Sequence, residues 1–78
     1  MEVVTFKVYM TNLTYGFVCN EFNHVIGTIY EEAPRVWQAS HPTNKEISYI
    51  GRSTRSAAMA LSKSYLRNRV IKLRIYLA

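Results

Sequence analysis

Residues 70–77 alternate without a fault: Ile71, Leu73, Ile75 and Leu77 point one way, and Val70, Lys72, Arg74 and Tyr76 the other. A two-residue period specifies a strand, here with one apolar face and one basic, aromatic face. The same period runs through the start of the chain, where Val4, Phe6, Val8 and Met10 oppose Val3, Thr5, Lys7 and Tyr9. Strands of this kind call for a sheet and for a layer that covers its apolar side.

Between these segments the chain is punctuated at short intervals. Thr11-Asn12 breaks the first strand, and the Tyr-, Phe- and Val-rich run 14–22 reads as a second, ending at a turn at Asn23-His24. Residues 25–31 return as a third strand, completing a hairpin. Ala33-Pro34 precedes a fourth strand at 35–40, which stops at His41-Pro42-Thr43-Asn44, and residues 47–50 form a fifth, ended by Gly51.

Ser53 or Thr54 then provides an N-cap for one helix, expected to run to about Arg67 with Asn68 in the left-handed conformation that ends helices. Ala57, Ala58, Leu61 and Tyr65 make its apolar stripe, and the small alanines let it lie close to a sheet. Met59 and Leu66 fall outside that stripe and need cover, from the C-terminal segment or from a partner. Trp37 is expected to pack against the helix. The expected fold is α+β: one domain over residues 1–78, with an antiparallel sheet of four to six short strands, a helix at about 54–67 packed on it and a C-terminal strand at about 70–77.

Composition narrows the function. With 49% apolar and 13% aromatic residues the chain has the material for a core, and intrinsic disorder is excluded. No apolar run approaches the roughly 18 residues of a membrane span, and the N-terminus lacks a signal-peptide pattern. The lone Cys19 offers no intrachain disulfide, so a cytoplasmic location is expected by elimination. The five glutamates include no pair placed for two-carboxylate hydrolysis, and aspartate is absent altogether. Cys19, Glu21 and His24 come nearest to a metal set, and Cys19 with His24 or His41 nearest to a nucleophile–base pair. Gly16, Gly27 and Gly51 are isolated, which excludes a phosphate-binding glycine loop. The expectation is a non-enzyme with no cofactor and no metal.

Charge supplies the positive signal. Residues 1–46 hold three basic and five acidic side chains, whereas 47–78 hold seven Lys or Arg and no acid. One sign of charge gathered in one region creates a directional field that attracts an anionic partner. Arg52 and Arg55 flank the helix start; Lys63, Arg67 and Arg69 follow along and beyond the helix; Lys72 and Arg74 share a strand face with Tyr76. Such clusters bind phosphates, and interleaved Tyr stacks on bases. These eight residues form the candidate binding set.

Two stretches resemble known nucleic-acid-binding patterns. Gly51, Ser53, Arg55, Ala57 and Leu66 match the last strand and closing helix of double-stranded RNA-binding domains, with Thr54 where that family has its first basic residue. The resemblance implies phosphate contacts from the helix N-terminus through Arg55 and, by proximity, Arg52. That family's first helix has no counterpart here. Trp37-Gln38-Ala39, Tyr49 and Ala57-Ala58-Met59-Ala60 resemble the strand and Ala-rich helix of ethylene-response-factor and phage integrase arm-binding domains. That likeness implies major-groove reading by a sheet face carrying Arg35 and Trp37.

The functional expectation is therefore a small nucleic-acid-binding protein that uses the basic helix and last strand on DNA or RNA. The alternative is a protein-interaction module docking on an acidic protein surface, such as a phage-encoded inhibitor of a host defence complex, of the kind that blocks CRISPR effectors. Homodimerisation through the last strand or through Met59 and Leu66 is a third partner expectation.

Overall fold

The computed structural model describes residues 3–66 and 72–78. Strands β1 (Val3–Met10), β2 (Tyr15–Cys19), β3 (Val25–Ala33), β4 (Val36–Ser40) and β5 (Ser48–Gly51) are followed by helix α1 (Thr54–Leu66) and strand β6 (Lys72–Leu77). They build one six-stranded sheet in the order β5-β4-β3-β2-β1-β6. Four neighbouring pairs are antiparallel, and the fifth, β1 with β6, is parallel. The α+β architecture is that expected from the period; the parallel pair is the addition. It arises because α1 carries the chain from one edge of the sheet to the other, packing against β5, β4, β3, β1 and β6 on the way.

Register sorts the side chains into two faces. Val4, Phe6 and Val8 stand opposite Leu73, Ile75 and Leu77 on β6, and Val8 stands opposite Val18 on β2. Val4, Phe6, Val8, Val18 and Ile75, together with Ile26, Ile29 and Ala39, meet Ala57, Ala58, Leu61 and Leu66 of α1 to form the core, with Leu73 packed against it and Leu77 exposed. Ala57, Ala58 and Leu61 are fully buried, so three members of the stripe read from the sequence are the packing surface, while the fourth, Tyr65, is exposed. The buried arc is wider than that stripe: Leu66 is buried and Met59 packs against the core, so both are covered by their own chain. Trp37 also lies on this side, opposite Gly51 on β5 and packed against the core.

Local signals explain most boundaries. Ser53 is the N-cap: its hydroxyl accepts from Ser56 N at 3.2 Å, while Ser56 Oγ accepts from Ser53 N at 3.1 Å. This is a capping box with serine in the usual glutamate position. Ser53→Ala is expected to cost about 1 kcal/mol, read as a lower denaturation midpoint at unchanged slope. The turn after β2 is organised by Asn20, whose Oδ1 accepts from Phe22 N (2.9 Å) and His24 N (3.0 Å). It therefore starts earlier than Asn23-His24, and β2 stops at Cys19. Arg35 has φ 61° and belongs to the turn before β4, which begins at Val36. The ends expected near Arg67, Asn68 and Val70 lie outside the described residues.

Candidate nucleic-acid interface

Helix α1 covers only one side of the sheet. On the other side the same register lines up Val3, Thr5, Lys7 and Tyr9 of β1 with Lys72, Arg74 and Tyr76 of β6, Lys7 standing directly opposite Tyr76 and Thr5 opposite Arg74. On the other flank Tyr9 faces Phe17, Tyr15 faces Tyr30, and Tyr30 faces Gln38. The face thus carries five aromatic rings and three cations on adjacent strands.

Tyr9, Tyr15 and Tyr76 are exposed, and Phe17 and Tyr30 are half-buried. Tyr76 is 57% exposed and Tyr9 39%, while Tyr15 meets Phe17 edge-on with centroids 5.6 Å apart. The Tyr30 hydroxyl donates to Gln38 Oε1 at 2.7 Å, which fixes that ring across the strand pair. Lys7 Nζ donates to Asn23 Oδ1 at 3.0 Å and so is anchored to a neutral oxygen. Asn23 reaches it from the β2–β3 turn, where its φ of 63° suits an asparagine. No opposite charge is engaged by this contact at the edge of the aromatic group.

The candidate set chosen from the sequence divides between two layers. Lys72, Arg74 and Tyr76 are brought together with Lys7 on the open face. Arg52, Arg55 and Lys63 are exposed on the helix layer. There the Arg55 Nη1 donates to the Ile75 carbonyl at 3.2 Å, tying the first turn of α1 to β6. Its guanidinium serves the fold as well as the surface. Arg67 and Arg69 lie outside the described residues. Lys7, Tyr9, Tyr15, Phe17 and Tyr30 were not singled out from sequence. Their signal was present in the alternation of residues 3–9, but only pairing with β6 turns that alternation into a shared surface.

Among the described residues no three His, Cys, Asp or Glu side chains cluster as metal ligands. Cys19 is buried, and desolvation raises its thiol pKa, with Lys7 pulling it the other way. In the folded protein the thiolate is therefore disfavoured. Alkylation of Cys19 is expected to be on the order of 100-fold slower in the native protein than in urea. Because the folded thiol titrates above its unfolded value, this group's contribution to stability should be present below about pH 9 and be lost as pH rises further, a slope that Cys19→Ala removes.

No helix among the described residues is long and apolar enough to cross a membrane. No family model matches this chain, and neither does any curated protein or solved structure.

Proposed function

We propose that this protein binds single-stranded nucleic acid on the open face of its sheet, without catalysis. The observation that carries the reading is the register that sets Lys7, Lys72 and Arg74 beside Tyr9, Phe17 and Tyr76 on the face opposite α1. Cations along β1 and β6 take phosphates, while neighbouring rings accept unstacked bases. Bases inside a duplex keep their faces stacked on each other, so the rings favour a single strand. Arg52, Arg55 and Lys63 extend the positive field without joining the stacking surface.

Fluorescence anisotropy with labelled oligonucleotides of about 12 nucleotides tests this. Three phosphate contacts predict a log–log salt slope of about −2 for a single strand, or a loss of roughly twenty-fold between 50 and 200 mM salt. A duplex of the same length should bind more weakly. Equal affinity for duplex and single strand would remove the stacking role. A nuclease-resistant complex with an acidic protein, together with no measurable oligonucleotide binding, would replace this reading with docking on a protein surface. Phe22 (70% exposed) and Leu13 (93%), at opposite ends of β2, would then be the contacts to test first.

A further inference from the structure

A separate concavity lies on the helix side, where the second half of α1 faces β5 and the loop that joins β4 to it. Its volume is about 580 Å³, and His41, Ile47, Tyr49, Ser64 and Tyr65 line it. None of these residues belongs to the set on the open face. The volume falls within the roughly 300 to 1,000 Å³ of small-molecule sites, which combine aromatic walls with a few placed polar groups.

Two of its walls are held in position. His41 Nδ1 accepts from Thr43 N at 3.3 Å, Asn44 N at 3.2 Å and the Thr43 hydroxyl at 3.3 Å. A neutral ring that accepts at Nδ1 carries its proton on Nε2, which stays available as a donor. On α1 the Tyr65 hydroxyl donates to the Ile26 carbonyl at 2.8 Å, fixing that ring from its far end. Burial raises the Tyr65 pKa and nearby Tyr49 adds to the effect, so the phenol keeps the proton that bond requires. The two anchored rings are parallel to within 3°, with centroids 6.5 Å apart. Ser64 gives its own proton to the Leu61 carbonyl at 2.5 Å, and among the described residues no donor reaches its oxygen. Among the described residues the lining contains no Lys, Arg, Asp or Glu, which favours a neutral ligand.

The geometry points to a binding site for a neutral, flat nitrogen heterocycle of nucleobase size, laid parallel to the His41 and Tyr65 rings. The 6.5 Å between the ring centroids does not admit a third ring between them, so one face of the ligand lies on the aromatic wall, and its edge exchanges hydrogen bonds with the His41 Nε2–H and the Ser64 hydroxyl oxygen. An aliphatic ligand would gain no face contact. A planar hydrocarbon would leave the polar groups without partners, a loss that discriminates strongly in enclosed sites. This site stands independently of binding on the open face.

NMR titration of the full chain with adenosine and with uridine tests it. Saturable shifts are expected at His41, Tyr49, Ser64 and Tyr65, and not at Tyr76. Tyr65→Leu removes one aromatic wall and should weaken binding about tenfold. Ser64→Phe fills the cleft from a half-exposed helix position and should abolish binding, with thermal unfolding confirming that the variant folds. Lys72→Glu/Arg74→Glu should bind both nucleosides as the parent does, which separates this site from the open face. Shifts confined to the open face, no saturable shift, unchanged binding by a folded Ser64→Phe protein, or naphthalene binding as tightly as adenosine would each overturn the assignment.

Discussion

Reversing two charges on β6, Lys72→Glu together with Arg74→Glu, should lower single-strand affinity on the order of 100-fold at low salt and flatten the salt slope from about −2 to under −1. Both side chains are exposed on an edge strand, so the unfolding temperature should barely move. The two readouts together separate a binding defect from a folding defect. Lys7 would remain as the one cation of the face among the described residues, anchored by Asn23, and should account for what affinity survives. A variant that loses neither affinity nor slope would show that the phosphates lie elsewhere. Arg52 and Lys63 on the helix layer would then be the groups to reverse next.

The second large effect belongs to the core. A Cβ placed on Gly27 would collide with a Leu61 methyl and stand 2.5 Å from the Ser40 carbonyl oxygen. The φ of Gly27 is not positive, so the constraint is space and not backbone freedom. The methyl of Leu61 can move only by displacing a fully buried side chain, and the β4 backbone cannot move without breaking its ladder. Gly27→Ala should therefore cost about 3 kcal/mol or more, a large part of the total stability of a domain this small, and Gly27→Val should prevent folding. Circular dichroism and a denaturant titration of the two variants measure this directly.

How far the sequence reached can be judged from the same residues. The faces of residues 72–77, the capped start of α1 and the alanine contact surface were all visible, because each depends on a local period or a local hydrogen bond. The neighbour of β6 was not visible. A strand with one apolar face pairs equally well with several others, and only the assembled sheet shows that β6 runs parallel to β1. This pairing also decides the site. Lys7 and Tyr9 come from the acidic front half of the chain, so a charge count by region passes over them, yet they stand beside Arg74 and Tyr76. Conversely, Arg55 lies in the basic half and is partly committed to a backbone carbonyl. The Met59 and Leu66 pair looked unpartnered on a helical wheel because the wheel does not show how far a twisted sheet wraps around a helix.

The rungs joining β1 to β6 link residues 69 positions apart in the chain. During synthesis the first strand leaves the ribosome seconds before its outer neighbour exists, at typical elongation speeds of about 5 to 20 residues per second. Val4 and Phe6 have no lasting shelter in that interval, and one hydrogen-bonding edge of β1 stays open to any passing extended peptide. Completion of this sheet is thus a long-range event that waits for β6. Shortened chains that stop before Lys72 should be the species that chaperones hold and that aggregate when chaperones are scarce.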